Sequence, residues 1–197
     1  MDKIIDIQRK AGVARVTLLS GDTLKIPSPL FLERRLRVGE AIDPESYRLF
    51  MEKRGYHHAI EAAMKFLALR DRSMGEVRSR LKRSCYDEGT IEKVLAALAN
   101  HQLISDSRFA ESWAYSRSKK YGKARIAQEL RSKGVSRQEA QAALEQISED
   151  DELQRACEQA KKLSRRIDEP QKMLQALIRR GYSFSIARKA LENMKKP

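Results

Sequence analysis

The sequence is poor in the residues on which most catalytic and metal sites depend. Its 197 residues include only two cysteines and three histidines. Cys85 and Cys157 form no C-x-x-C pair, His57 and His58 are adjacent and would not share a helix face, and His101 is isolated. None of the common zinc-protease, phosphate-loop, nucleophile-elbow or dinucleotide motifs is present. We therefore expect a non-enzymatic protein with reduced thiols, no cofactor and no metal.

Long apolar runs are also missing. No stretch approaches the roughly 20 apolar residues that a membrane-spanning helix requires, and the start lacks the basic, apolar and small-residue pattern of a signal peptide. With 41% hydrophobic and 34% charged residues, the composition is typical of a soluble, helix-rich protein. We expect a cytoplasmic protein that does not bind membranes and is a monomer.

Positive charge is abundant and unevenly distributed. The chain has 40 Lys and Arg residues against 27 Asp and Glu, a formal net charge of +13. Residues 1–50 contribute 9 − 7 = +2, which leaves +11 for residues 51–197. A surplus of this size implies attraction to a polyanion such as nucleic acid or an acidic protein surface.

The N-terminal residues 1–55 have the pattern of a small α/β extension. Residues 3–26 are rich in β-branched and aliphatic side chains and are broken at residues 11–12 and 20–22, which predicts a three-stranded antiparallel meander. Ser28 is expected to cap a helix that reaches about Leu36. Asp43 should cap a second helix through about Lys53, with Gly55 ending it.

From residue 56 onward the chain is helical and repetitive. Residues 134–144 (GVSRQEAQAAL) align with residues 181–191 (GYSFSIARKAL) at an offset of 47, and residues 90–98 (TIEKVLAAL) form a weaker copy at an offset of 46. The copies are assigned to residues 56–104, 105–149 and 150–197, each with three helices. Their predicted bounds are 57–71, 74–85 and 90–101; 106–120, 123–133 and 136–147; and 151–166, 170–180 and 183–195.

The fold class is therefore mainly α, with three tandem three-helix, helix-turn-helix-like repeats in an elongated array. Ser73 with Glu76 and Ser136 with Glu139 match the S-x-x-E capping box. Gly134 should end the middle helix of the second copy, as Gly181 does in the third. The acidic run 149–152 fits a helix start better than a metal site.

Two basic clusters are the candidate functional sites. The first cluster flanks the middle helix of the first copy and consists of Arg70, Arg72, Arg78, Arg80, Lys82 and Arg83; the second flanks that of the second copy and consists of Arg117, Lys119, Lys120, Lys123 and Arg125. Same-sign blocks on consecutive copies predict a track for a polyanion. Tyr115 and Tyr121 lie within the second cluster and could stack or hydrogen-bond, although an aromatic residue at a helix boundary more often packs on the protein. Trp113 is assigned to the core. No helix begins with the grouping of Asn, Gln or Arg residues that sequence-specific contacts with bases require. Any DNA binding should therefore be directed to the DNA backbone.

Three motifs resemble the RecX regulatory proteins of bacteria. They are R-x-R-S at Arg70, Arg72 and Ser73; I-x-D-x-x-F-A at Ile104, Asp106, Phe109 and Ala110; and G-x-x-R-I-x-x-E-L-x-x-K-G from Gly122 to Gly134. The resemblance covers about residues 60–145. Ser105 departs from it, since the family commonly has a second Asp there.

The resemblance implies a modulator and not an enzyme. Members of this family bind the RecA recombinase filament on single-stranded DNA and restrain its ATPase, strand-exchange and co-protease activities. We expect the two clusters to carry that interaction. The alternatives left open are a backbone-directed DNA-binding protein that acts without RecA, such as an architectural or helix-turn-helix regulator, and a protein–protein scaffold whose binding is insensitive to salt.

Overall fold

The computed structural model describes residues 1–195 and divides into two compact units. The first unit is Met1–Ile104 and the second begins at Ser105. Among the described residues, no helix is long and apolar enough to cross a membrane.

The first unit begins with a four-stranded antiparallel sheet. Strands β1 (Asp2–Lys10), β2 (Val13–Leu18) and β3 (Thr23–Pro27) form the predicted meander, with Ile7 opposite Val16 and Ala14 opposite Ile26. A fourth strand, β4 (Ala41–Ile42), pairs with the start of β1 and completes the order β3-β2-β1-β4. Two residues are too few for an alternating pattern to be visible, so the sequence did not indicate β4.

Helix α1 (Ser28–Arg34) differs from the prediction at both ends. Pro27 is the N-cap residue and Ser28 is already helical, so the predicted Ser28 cap is wrong and no side chain caps this end. The helix stops two residues before Leu36 because Arg35 adopts a left-handed conformation with φ of 53°. The amide of Arg35 still bonds to the carbonyl of Phe31, which closes the last turn.

Helix α2 (Pro44–Leu67) is a single helix where the sequence predicted two. Asp43 caps it as expected and accepts a hydrogen bond from the Ser46 amide at 3.2 Å. Gly55 does not end a helix; it is buried, and a Cβ atom there would lie 3.7 Å from Oγ1 of Thr90. The glycine thus allows close packing of α2 on the third helix of the first copy, and the predicted boundary between residues 55 and 56 falls inside α2.

Helices α3 (Met74–Arg83) and α4 (Glu88–Asn100) complete the first copy and share one core with the sheet. That core includes Ile4 and Val16 from the sheet, Leu81 from α3 and Leu98 from α4, all at most 1% exposed. The N-terminal extension is therefore packed onto the first three-helix copy, and α2 belongs to both.

The described residues of the second unit, 105–195, form six helices in two three-helix groups. They are α5 (Asp106–Ser118), α6 (Lys123–Ser132) and α7 (Arg137–Glu145), followed by α8 (Glu149–Leu163), α9 (Pro170–Arg179) and α10 (Phe184–Lys195). The first group packs around Phe109, Ile126 and Leu130, and the second packs around Ala160 and Leu177. Each group thus has its own hydrophobic core, as expected of tandem repeats.

Both predicted capping boxes are present, at Ser73 with Glu76 and at Ser136 with Glu139. Gly134 and Gly181 have φ of 81° and 89°, and each follows the end of its middle helix as predicted. In the first copy the same place is taken by Cys85, whose φ is 63°. All three positions are followed by an amide that bonds back to a leucine carbonyl of the helix, at Leu81, Leu130 and Leu177.

These helix ends correct the predicted spacing of the first and second copies. The N-caps of α3 and α6 are Ser73 and Gly122, and the left-handed residues are Cys85 and Gly134, so the offset is 122 − 73 = 134 − 85 = 49, not 46. With this offset Leu95 corresponds to Leu144, and both are buried. The offsets 49 and 46 differ by three residues, which is nearly one helical turn. At either offset the apolar residues of one copy therefore align with apolar residues of the other, which is why an offset of 46 also matched.

The second and third copies meet through backbone atoms. The Gly122 amide donates to the Arg180 carbonyl at 3.0 Å, and the Ala124 amide donates to the Gly181 carbonyl at 3.2 Å. A Cβ atom on Gly122 would lie 2.3 Å from the Gly181 oxygen, so the glycine is required for space. The carboxylate of Glu152, which is 9% exposed, accepts from the Lys123 amide at 3.0 Å. We call this contact the glycine junction.

Candidate polyanion interface

Most of the first cluster is already paired within the protein. Arg70 makes a two-point contact with Glu76, at 2.8 and 3.2 Å, and donates to the Asp71 carbonyl at 2.7 Å. Arg72 lies over the Phe66 ring, with its Cζ 3.9 Å from the ring centre. Burial, followed by the nearby charge of Arg70, lowers the pKa of Arg72. Both residues thus fix the segment before α3, which is a structural role.

Arg78 connects α3 to α4. Its guanidinium contacts Glu88 at 2.5 Å and also pairs with Glu92, and Lys82 lies 3.8 Å from Glu88. The hydrogen bond with Glu92 is the main reason that the pKa of Arg78 is raised. Because two carboxylates surround Arg78, its charge is largely neutralised at this position.

Arg80 and Arg83 are the remaining members of the first cluster. Both are exposed, and in the described part of the chain neither forms an ion pair with a carboxylate. Arg83 donates to the Ser79 carbonyl at 3.2 Å, and Arg80 lies 5.9 Å from the Phe66 ring centre. Of the six cations predicted from the sequence, these two keep the most charge available to a partner.

The second cluster is organised around Glu129 on α6. Arg117 from α5 makes a two-point contact with Glu129 at 2.6 and 2.7 Å, Arg125 approaches at 3.4 Å, and the Trp113 indole donates at 3.1 Å. The hydrogen bond from Arg117 is the largest cause of the lowered pKa of Glu129, and burial opposes it. The same bond raises the pKa of Arg117. The two helices are therefore joined by a charged, half-buried pair.

Aromatic rings and cations alternate along this surface. The guanidinium groups of Arg117 and Arg125 each lie 4.3 Å from the ring centre of Tyr121, and Lys133 lies 4.2 Å from the Trp113 ring. Both guanidinium groups therefore pack on Tyr121, which is itself partly buried against the core of the second copy. Trp113 packs on the core as predicted, stacked on Phe109, yet it is only half-buried and also contributes to this surface.

The lysines of the second cluster have the fewest internal contacts. Lys119 and Lys120 are exposed on the turn between α5 and α6, and Lys119 lies 5.1 Å from the ring of exposed Tyr115. The Lys123 backbone belongs to the glycine junction and its side chain is half-buried. Within residues 1–195 none of these three lysines is paired with a carboxylate. They are free to meet a partner.

Sequence reasoning missed the role of Glu129, although it noted the motif in which this residue lies. A single acid among seven basic residues in 115–133 was the available indication, because a lone carboxylate in such a segment will attract several cations. It also missed the commitment of Arg70, Arg72, Arg78 and Arg117 to internal contacts, since partners such as Phe66 on α2 and Glu92 on α4 are brought near only when the helices pack. Among the described residues, no group of three His, Cys, Asp or Glu side chains could hold a metal ion.

The fold and this surface define a tandem three-helix-repeat protein with a sheet-bearing N-terminal part. Two family models match, "RecX, first three-helix domain" over residues 59–98 and "RecX, second three-helix domain" over residues 105–144. The regulatory protein RecX of Clostridioides difficile is 27% identical over an alignment of 197 positions, which covers 95% of this chain and 92% of that protein.

The regulatory protein RecX of Cronobacter sakazakii is 36% identical over 143 residues, 64% of this chain and 86% of the relative. A crystal structure of a regulatory protein RecX shares the fold, with a TM-score of 0.66 at 24% identity over 98% of this chain and 100% of that one. The chain belongs to the RecX family of regulatory proteins.

Proposed function

We propose that this protein is a non-enzymatic regulator that binds the RecA filament on single-stranded DNA and modulates it, mainly by inhibition. The affected activities are the ATPase, strand exchange and the co-protease function. Membership of the RecX family supports the regulatory role, and the excess of 40 basic over 27 acidic residues supports a polyanionic partner.

The observation that carries this proposal is the surface formed by α5 and α6. Arg117 and Arg125 stack on Tyr121, while Lys119 and Lys120 extend from the adjoining turn without carboxylate partners in the described residues. Stacked rings and free cations are the groups that bind single-stranded nucleic acid without reading its sequence. The same cations suit an acidic protein surface.

Internal pairing reduces the salt dependence that the sequence alone would suggest. Five members of the two clusters have neither a carboxylate partner in residues 1–195 nor a buried guanidinium: Arg80, Arg83, Lys119, Lys120 and Lys123. If these five meet phosphates of a single strand, the salt slope is about −3.5, and affinity falls about 100-fold between 50 and 200 mM salt. Engagement of all eleven cluster residues would give a fall of more than 10⁴-fold.

The test is the ATPase of RecA on single-stranded DNA, titrated with this protein at two salt concentrations. The variant Lys119→Ala/Lys120→Ala should inhibit markedly less than the unaltered protein. Its matched control is Arg188→Ala/Lys189→Ala, which removes two consecutive cations that are paired with Glu192 and Glu149. Equal inhibition by both variants would refute the assignment of the surface. Binding to DNA with no effect on the ATPase would favour a DNA-binding protein that acts without RecA.

A further inference from the structure

A third cationic site lies in the last copy, outside both predicted clusters. It is a cleft of about 320 Å³ at the end of α8, and no Asp or Glu among the described residues lines it. The lining residues are Gln159, Lys162, Leu163, Arg165, Arg166 and Arg180. Four cations thus converge on one cleft of the third copy.

The central arginine is held by a neutral group. Arg180 donates from Nη1 to Oε1 of Gln159 at 2.5 Å, and Nε2 of Gln159 donates to the Lys119 carbonyl at 3.1 Å. Gln159 is only 4% exposed, so this amide is a fixed part of the fold. Arg117, by contrast, is held by the carboxylate of Glu129. An amide orients a guanidinium without neutralising it, which leaves the full charge of Arg180 for a ligand.

Helix polarity does not account for this arrangement. Cations in the last turn of α8, including Lys162, are favoured by the negative end of the helix dipole. Arg165 and Arg166 lie beyond that helix, however, and both are exposed without an ion pair in the described part of the chain. Arg180 belongs to the end of α9. Two stretches of the chain, residues 162–166 and the end of α9, therefore contribute charge to the same cleft.

The cleft adjoins the second cluster through the glycine junction. The Arg180 carbonyl accepts from the Gly122 amide at 3.0 Å, while its guanidinium is tied through Gln159 to Lys119. The turn that carries Lys119 and Lys120 is thereby attached to the cleft at both the backbone and the side chain of Arg180.

We propose that this cleft binds phosphate groups, and that its ligand is the sugar–phosphate backbone of single-stranded nucleic acid. The proposal deepens the proposed function, on which it rests for the identity of that ligand. Arginine is suited to the role because its planar guanidinium donates two parallel hydrogen bonds to phosphate oxygens. The third copy then contributes contacts that neither predicted cluster supplies.

The test is binding of a fluorescein-labelled oligothymidine, followed by anisotropy at several salt concentrations without RecA. Arg165→Ala/Arg166→Ala removes two exposed cations and should leave the fold intact. The loss of two phosphate contacts should make the salt slope less steep by about 1.4, so the drop in affinity between 50 and 200 mM salt becomes about sevenfold smaller. Arg188→Ala/Lys189→Ala, with the same change in charge, should keep the original slope.

A slope for Arg165→Ala/Arg166→Ala equal to that of the control would overturn the proposal. ADP serves as the competitor that separates the two sources of phosphate: binding of ADP to the unaltered protein that is tighter than binding of the oligomer, and that is lost in the variant, would overturn the assignment of the ligand to nucleic acid. RecA ATPase measured in parallel keeps the two proposals distinct. If the variant has a less steep salt slope but the unaltered protein does not inhibit RecA, only the proposed function is refuted. If the unaltered protein inhibits RecA but the variant keeps the original salt slope, only the phosphate site in the cleft is refuted.

Discussion

Replacing Gly122 with alanine should destabilise the second unit, because the added methyl group has no space. Its Cβ would lie 2.3 Å from the Gly181 oxygen and 2.4 Å from the Tyr182 nitrogen. Both contacts are with backbone, which cannot rotate away as a side chain can. The glycine junction must therefore open by about 1 Å to reach a tolerable distance of 3.4 Å.

The cost can be estimated from two contributions. Overpacking of a tight contact costs about 1–3 kcal/mol. Opening also weakens the hydrogen bonds from Gly122 to Arg180 and from Ala124 to Gly181, which contribute about 0.5–1.5 kcal/mol each. The free energy of unfolding of the second unit should fall by about 2–6 kcal/mol, a large part of the about 5–15 kcal/mol typical of a domain.

Urea denaturation combined with amide hydrogen exchange measures this effect and locates it. The amides of Gly122, Lys123 and Ala124 should lose protection first in Gly122→Ala. The matched control is Gly55→Ala, where the same methyl group would lie 3.7 Å from Thr90 in a helix interior. That change should stabilise the first unit by about 0.5–1 kcal/mol. Unchanged stability and protection in Gly122→Ala would show that the junction does not hold the two copies together.

Three further substitutions test single interactions. Glu129→Gln should lower the free energy of unfolding by about 1–3 kcal/mol at pH 7 through the loss of its charged bonds to Arg117. Because the pKa of Glu129 is lowered in the folded protein, its contribution is complete above the unfolded value of 4.5 and is lost as pH falls through the folded value. Thermal melts of both proteins should therefore converge in acid, and a constant difference down to pH 2 would contradict this. Cys85→Gly should stabilise the first unit by about 1 kcal/mol, since φ at this position is 63°, and a less stable variant in urea denaturation would argue that the thiol packs usefully. Ser136→Ala should lower the free energy of unfolding of the second unit by about 1 kcal/mol, because it removes the N-cap of α7. Urea denaturation measures this change, and an unchanged stability would mean that the capping box does not stabilise α7.

Helix positions were predictable because they depend on local information. Capping residues, glycines at helix ends and the three-to-four-residue spacing of apolar side chains act within one or two turns. The boundary predicted at Gly55 failed because it depends on a contact with a distant residue. Gly55 has the local pattern of a terminator, but its position against Thr90 gives it another role. The elongated arrangement of the copies stays a prediction.

The basic clusters were visible in the sequence, but their internal contacts were not. A block of basic residues is visible in the sequence, so the second cluster was identified. Which cations remain free depends on partners brought near by folding, such as Glu92 for Arg78. Arg180 was overlooked for the same reason, since its partner Gln159 is 21 residues away and uncharged.

Trp113 is the one tryptophan in the chain, and it stands where the candidate surface meets the core. Its indole touches Lys133, faces Phe109 and donates to Glu129. Tryptophan emission, excited selectively over the six tyrosines, therefore reports on this surface without any attached dye. A ligand that draws Lys133 or Arg117 away from the indole ring would change the emission of Trp113 directly. The emission of this residue can therefore be used to follow binding of a ligand to the surface of α5 and α6.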